Sequence, residues 1–239
     1  MTDSMQFKDV DVDGAIRETA EAASESLGDT RRGLLMKTAV AGGGVIAGGS
    51  ILGAIVAGEA SAAGKGRPPA SFGKGDIGIL NYALTLEYLE AAYYNEALKN
   101  QHKKTFIKDK QTQAFLKTVV RDENAHVKAL KKVLGNKAAP KPKFDFGNAT
   151  KSEKAFVTAS FTFENEGVHA YSGQAFNIKS PAVLAAALSI VTIEARHASV
   201  IGLIKGAKPA NIAPSGSFDT PFTAQKVLKD VTSLGYIVS

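Results

Sequence analysis

The residues best suited to chemistry are two glutamate–histidine pairs with the same spacing. Glu123 and His126 lie in the segment ENAH, and Glu194 and His197 lie in the segment EARH. Side chains three positions apart share one face of an α-helix, so each pair directs a carboxylate and an imidazole to one place. Oxygen and nitrogen donors without sulfur suit iron or manganese, and zinc also accepts them. The chain has no cysteine, which excludes thiolate ligands, thiolate nucleophiles and disulfides.

Two further helical patterns each place a single acid on an apolar face. Glu87 shares its face with Tyr94, and Glu164 shares its face with Tyr171. Four carboxylates buried together would repel one another and lose their hydration unless cations balanced them. One glutamate from each of two helices and Glu-x-x-His from the other two is the ligand set of carboxylate-bridged two-metal centres. The predicted ligands of two iron or manganese ions are therefore Glu87, Glu123, His126, Glu164, Glu194 and His197.

Other polar side chains near this set are given different roles. Glu90, Tyr94 and Tyr171 are predicted to contact the ligands, and direct ligation by Glu90 stays open. Glu166 and His169, in the segment EGVH, form a third pair with the same spacing. Their helix face is more polar and carries smaller residues than the face of Glu164, so they are predicted to be a solvated pair.

These residues fall on four long helical patterns, at about 76–100, 111–134, 150–176 and 180–206. Asp76 is a predicted N-cap, and Thr150 with Glu153 has the spacing of a capping box. Ser180 followed by Pro181 also predicts a helix start, and Gly135 predicts a helix end. Alternating strand patterns of useful length are not apparent in the sequence.

The connections between the patterns predict how the helices are arranged. The first-to-second and third-to-fourth links are short, which favours antiparallel neighbours. The second-to-third link has about 14 residues and can reach roughly 46 Å, enough to run the length of the bundle. We therefore predict an all-α, ferritin-like four-helix bundle at 76–206, with two antiparallel hairpins joined by a long crossover. The segment 207–239 is a C-terminal extension that is predicted to add a short helix.

The helix sequences resemble those of a known family. The segments LNYALTLEYLEAAYYNEAL, RDENAHVKAL, FENEGVHAYSG and IEARHASVI look like the four helices of the ferritin-like domain family of exported bacterial proteins, which is related to desiccation-associated plant proteins. The resemblance covers about 71–206 and includes all six predicted ligand positions. It implies a di-iron or di-manganese carboxylate centre, and it leaves the reaction undefined.

The N-terminal segment predicts export. Residues 30–37 read TRRGLLMK, a glycine-rich apolar run follows, and Ala60-Ser61-Ala62 gives an A-x-A cleavage pattern. Arg31-Arg32 resembles the signal read by the twin-arginine (Tat) export machinery, which transports folded proteins. Residues 1–62 are therefore a predicted signal peptide cleaved near Ala62, with 63–75 as linker and a periplasmic or extracellular product. The alternative is a membrane anchor formed by an uncleaved segment 38–58, which is long enough to span.

Cleavage would change the charge of the protein. Residues 1–62 contain five of the 29 basic and nine of the 23 acidic residues, so the mature chain would carry a net charge of +10. Such a charge often indicates nucleic-acid binding, but an exported protein meets little nucleic acid. Anionic envelope surfaces are the expected neighbours.

Two classes of function fit these observations. The first is a redox enzyme with ferroxidase- or peroxidase/catalase-like handling of O₂ or H₂O₂ in stress protection. The second is a non-catalytic metal-binding or desiccation-protective envelope protein whose metals only stabilise the bundle. An oligomer is compatible with either.

Overall fold

The computed structural model describes residues 66–208, 212 and 216–238, and the predicted signal segment 1–62 lies outside the described residues. The described part contains five α-helices: α1 (Gly75–Lys103), α2 (Lys110–Leu134), α3 (Glu153–Gln174), α4 (Pro181–Ile204) and α5 (Ala224–Ser233). Its strands β1 (Lys143–Phe144) and β2 (Ile237–Val238) pair antiparallel. Short 3-10 helices lie at Ala70–Phe72, Gly135–Lys137 and Ala175–Asn177. The predicted all-α fold is confirmed.

Helices α1 to α4 form two hairpins, α1 with α2 and α3 with α4. Asn81, near the start of α1, bonds the backbone of Lys137 just beyond the end of α2, whereas Asn95, further along α1, bonds Asn124, which lies earlier in α2. The two helices therefore run in opposite directions. Residues 135–152 connect the hairpins and carry β1, and the last turns of the chain bring β2 alongside it. This is the predicted arrangement of two hairpins and one long crossover.

Apolar packing lies on both sides of the level at which the acidic residues occur. On α2, Phe115 and Val119 belong to one buried cluster and Leu130 belongs to another. On α4, Ile190 and Ile201 divide in the same way. The polar positions of both helices lie between these clusters, so the hydrophobic effect that assembles the bundle also removes water from around them.

The predicted N-cap role of Asp76 is wrong. Helix α1 begins at Gly75, and Asp76 lies in its first turn. The carboxylate accepts hydrogen bonds from the backbone N–H groups of Lys179 (2.9 Å) and Ser180 (2.8 Å). Asp76 therefore ties the start of α1 to the loop before α4, because that loop offers unpaired donors that a sequence pattern cannot reveal.

The predicted capping box at α3 is also wrong. Thr150 donates its hydroxyl to Glu96 at 2.6 Å, across the bundle. Glu153 accepts hydrogen bonds from the backbone N–H groups of Lys108 and Asp109, both at 3.0 Å. Both side chains thus satisfy groups of other segments. The other signals are confirmed, with Ser180 capping α4 and a positive φ of 56° at the glycine that follows α2.

The C-terminal extension packs on α3, and α5 is the predicted short helix. The backbone N–H of Phe222 donates to the carbonyl of His169 at 3.1 Å. A Cβ at Gly173 would lie 1.8 Å from the carbonyl oxygen of Phe222. Glycine at 173 is therefore what allows the extension to lie against α3.

Within the described residues, α4 is the one helix long and apolar enough to cross a membrane by length and composition. Only 33% of its most apolar window is buried, and Leu188, Val200 and Leu203 are exposed. Its inner face nevertheless carries Glu194 and His197, both buried in the bundle. Helix α4 is thus a bundle helix that also exposes apolar side chains.

Candidate metal centre

The six predicted ligand residues converge on one place, in the interior of the four-helix bundle. They form two overlapping groups in which one donor atom from each residue lies within 4.8 Å of every other donor atom of its group. Such buried groups of carboxylates and imidazoles can hold metal ions. Glu123 and Glu194 belong to both groups.

The first group surrounds His126. The Nδ1 atom of this residue lies 3.2 Å from Glu87 Oε2, 3.2 Å from Glu123 Oε2 and 3.3 Å from Glu194 Oε1. The carboxylates are 1% exposed or less, and the imidazole exposes 11% of its side chain. Three helices, α1, α2 and α4, thus supply donors to one point.

The second group surrounds His197. Its Nδ1 atom lies 3.2 Å from Glu123 Oε1 and 3.2 Å from Glu164 Oε2. Glu194 completes the group. Each of the two carboxylates at the middle, Glu123 and Glu194, is therefore placed between the two histidines. These two carboxylates would therefore be available to both ions if two metals were bound.

Two tyrosines hold the outer carboxylates in a reciprocal way. Tyr171 of α3 donates its hydroxyl to Glu87 Oε1 of α1 at 2.5 Å, and Tyr94 of α1 donates to Glu164 Oε1 of α3. Each tyrosine lies seven positions after the glutamate of its own helix. Because α1 and α3 run in opposite directions, each tyrosine reaches the glutamate of the other helix. Both hydroxyls orient a carboxylate and leave its second oxygen facing the centre.

Asp122 is a candidate site residue that the sequence reasoning missed. Its Oδ2 atom lies 3.1 Å from His197 Nε2, and its Oδ1 atom accepts from Arg121 Nε at 2.7 Å. A carboxylate on the outer nitrogen fixes the imidazole ring and directs the inner nitrogen toward the site. The available signal was its place beside Glu123. That signal is weak, because the partner is 75 residues away.

Gly167 is a second residue that the sequence reasoning missed. A Cβ at this position would lie 2.7 Å from Glu194 Oε2 and 3.3 Å from Glu194 Cδ. Those distances are too short for an ordinary contact, so a side chain on α3 would displace the carboxylate. The glycine therefore makes room for Glu194 between the two histidines.

The donors fit divalent cations on three counts. Glu194 Oε2 is buried without a hydrogen-bond partner among the described residues, which is costly unless something binds it. The inward oxygens Glu87 Oε2, Glu123 Oε1 and Glu194 Oε1 have only an imidazole nitrogen nearby, at 3.2–3.3 Å, and each of these nitrogens is shared with other carboxylates. Four carboxylates match the charge of two divalent ions. The donor set of oxygens and imidazole nitrogens is one that iron and manganese accept.

In the metal-free protein, protons take the place of these cations. Burial raises the pKa of Glu123 to about 7, and burial with the charge of Glu123 raises the pKa of Glu194 well above its usual value. Burial alone would lower the pKa of His197, but hydrogen bonds to Glu123 and Glu164 raise it to about 11. Metal binding would therefore release protons, because ligands must be deprotonated to bind.

A family model described as a ferritin-like domain matches residues 75–206, more than half of the chain. The chain belongs to the ferritin-like domain family. A search of curated proteins found no match to it. The matched region spans α1 to α4, and therefore contains every helix that contributes to the candidate metal centre.

In this ferritin-like protein, Glu90 is a further buried acid beside the centre. It is 4% exposed and lies one turn after Glu87 on α1. Burial raises its pKa well above the usual value, and the charges of Glu194 and Glu123 add to this effect. Glu90 is not part of either donor group, so the structure places it next to the ligands rather than among them.

The expectation that Glu166 and His169 form a solvated pair is wrong. His169 Nδ1 lies 2.7 Å from the carbonyl oxygen of Thr220, and its ring stacks on Phe222 with centroids 4.1 Å apart. Glu166 is half-buried, and burial with the charge of Asp230 raises its pKa to about 7. The C-terminal extension covers this side of α3, where His169 contacts it and Glu166 feels the charges of Asp230 and Lys226. Neither residue belongs to the donor groups of the candidate metal centre.

Proposed function

We propose that this ferritin-like protein binds two iron or manganese ions and uses them in redox handling of O₂ or H₂O₂. The activity would be ferroxidase-like or peroxidase/catalase-like, with a role in stress protection. The observation that carries the proposal is the position of Glu123 and Glu194, which belong to both donor groups. Two carboxylates shared by two groups suit a pair of ions better than a single ion.

Each residue of the centre has a definable task in this proposal. Glu87 and His126 would complete one metal position, and Glu164 and His197 would complete the other. The chemistry that such a pair of ions supplies is electron transfer to O₂ or H₂O₂. The apolar clusters above and below exclude bulk water, which strengthens the electrostatic interactions among the groups they enclose.

A groove between α2 and α4 supports turnover rather than a sealed structural site. Its volume, counted as the space that the centre of a water molecule can occupy, is about 620 Å³. Its lining includes Asp122 and His197. Arg121 and Arg196 also line it, together with apolar side chains such as Val200. Reactants and metal ions therefore have an approach to the His197 side of the centre.

Metal loading tests the proposal directly. Loading with Fe(II) or Mn(II) should give about two ions per chain and consumption of O₂ or H₂O₂. The Glu194→Ala variant should lose both, because it removes a shared ligand. Glu166→Gln is a matched control, since Glu166 belongs to neither donor group and feels the charges of α5 instead. Fewer than one ion per chain in the wild type, unchanged by Glu194→Ala, would overturn the proposal.

A structural role for the metals is the second candidate. It is favoured by the near-complete burial of Glu87, Glu123, Glu164 and Glu194, whose charges cations would neutralise. Melting curves with and without a chelator distinguish the candidates. A large stabilisation by metal, or by redox-inert zinc alone, with no consumption of O₂ or H₂O₂ would favour the structural role.

Export is a separate proposal, and it rests on residues 30–62 of the sequence. We propose that the chain leaves the cytoplasm through the twin-arginine pathway and is cleaved near Ala62. Replacing Arg31 and Arg32 by lysine should block export, and the N-terminus of the exported protein should begin near Ala63. A membrane-bound product that retains residues 38–58 would instead support the anchored alternative.

A further inference from the structure

A small apolar pocket lies beside the metal centre, between α1, α3 and the first turns of α4. Its volume, counted as the space that the centre of a water molecule can occupy, is about 30 Å³. Leu86 of α1, Tyr171 of α3 and Ala187 of α4 are among the residues that line it. The groove between α2 and α4 has none of these residues in its lining, so the pocket is a separate space.

The pocket ends at a residue that touches the centre. Tyr171 forms part of its wall and donates its hydroxyl to Glu87, one of the predicted ligands. Leu86, which precedes Glu87 on α1, lines the same space. A molecule in the pocket would therefore be separated from the carboxylates only by the side chains of its wall.

Most polar side chains that line the pocket already form hydrogen bonds with groups outside it. The Tyr171 hydroxyl bonds Glu87, and the Gln174 side chain bonds the carbonyl of Gly66 and the amide of Asn177. Within the described residues, the Tyr82 hydroxyl is the lining group left without a partner. A buried water needs about two to four polar partners, so the pocket favours an apolar occupant over water.

We propose that this pocket is a binding site for small apolar molecules and that it holds O₂ beside the metal centre. The choice of O₂ rests on the proposed redox function, whereas the preference for an apolar occupant rests on the pocket alone. Hydrogen peroxide carries two hydroxyl groups and would lose hydrogen bonds on entering such a space. The pocket thus favours O₂ as the oxidant that approaches from this side.

Xenon is a suitable probe, because it is apolar and binds dry cavities of proteins. Metal-free protein is crystallised under xenon pressure, and binding is also followed by xenon-129 NMR. The expected result is one xenon site against Ala83, Tyr171 and Ala187. An ordered water in the pocket, or no xenon there under pressure, would overturn the proposal.

Substitutions that fill the pocket sharpen the test. Ala187→Leu should abolish the xenon site. Ala187→Val adds a smaller side chain and should weaken xenon binding, so it provides the test if Ala187→Leu does not fold. Ala182→Leu is the matched control, because it makes the same change on the same helix at a position that does not line the pocket. Equal xenon binding in Ala187→Leu and the wild type would contradict the assignment.

The role of O₂ has its own readout in the metal-loaded protein. Ala187→Leu should raise the KM for O₂ several-fold with an unchanged metal content and an unchanged KM for H₂O₂. An unchanged KM for O₂ would overturn that role even if xenon binds. Xenon binding is measured without metal, so failure of the metal proposal and failure of the pocket proposal remain distinguishable.

Discussion

The half of the centre around His126 and the half around His197 have matching ligands and different surroundings. Each half has one outer glutamate, one histidine and one tyrosine from the opposite helix. Asp122, which precedes Glu123, supports His197 from behind, whereas the residue before Glu194 is Ile193. No carboxylate at that position can do the same for His126.

The same comparison extends to α1 and α3, the helices that carry the outer glutamates. Glu90 lies three positions after Glu87 on α1, and Gly167 lies three positions after Glu164 on α3. The position on α1 carries a buried acid, whereas the position on α3 has no side chain and so leaves room for Glu194. The ligands alone would make two similar metal positions. The residues behind them make the two positions unequal.

The largest effect should come from removing a shared ligand, and removing an outer ligand should have about half of that effect. Glu123→Ala removes donors from both halves and should reduce the metal content from about two ions per chain to below one. Glu87→Ala and Glu164→Ala each remove donors from one half and should leave about one ion. Metal analysis after dialysis measures the content. Equal losses in all three variants would show that the halves do not bind separately.

The loss of Asp122 should weaken one binding step and spare the other. Removing a carboxylate that supports a ligating histidine typically costs about 10–100-fold in metal affinity. Asp122→Ala is therefore expected to weaken the step at His197 by that factor, as measured by a metal titration of the apoprotein. Ile193→Ala is the control at the equivalent position. A similar weakening in both variants, or of both steps in Asp122→Ala, would contradict the comparison.

The ligand pattern was accessible from the sequence because it is local. Helical periodicity places Glu194 and His197 on one face whatever the rest of the chain does, and the same holds for Glu123 and His126. The number of helices and the long crossover followed from similar short-range signals. Their role as ligands remains a prediction, but the shared helix face of each pair did not depend on tertiary detail.

The surroundings of the ligands were not accessible in this way. Asp122 looks like an ordinary surface acid beside Arg121, and only the packing of α2 on α4 brings it to His197. The need for Gly167 arises from the closeness of α3 and α4. Asp76 was misassigned for the same reason, since its partners belong to a distant loop. Each miss is a contact between helices or loops, which no local pattern encodes.

A methyl group at Gly167 should disturb the centre from the α3 side. Gly167→Ala places a Cβ 2.7 Å from Glu194 Oε2, and overpacking of this kind costs about 1–3 kcal/mol. Metal affinity should fall by about tenfold, measured by titration. Gly202→Ala is the matched control, because its Cβ would meet Phe161 at 3.5 Å, an ordinary contact. Retained affinity in Gly167→Ala would show that Glu194 can bind from another position.

The smallest effect should come from the two tyrosines, and it should be equal on both sides. Tyr94→Phe and Tyr171→Phe each remove one hydrogen bond to an outer carboxylate, and each should lower the stability of the metal-free protein by about 1–2 kcal/mol. Denaturant unfolding measures both losses. The expectation of equality follows from the geometry, since each hydroxyl reaches the glutamate of the opposite helix from the same spacing. Effects on the unfolded state account for differences of only a few tenths of a kcal/mol. Losses that differ by more than about 1 kcal/mol would therefore show that the outer carboxylates of the two halves are also unequal.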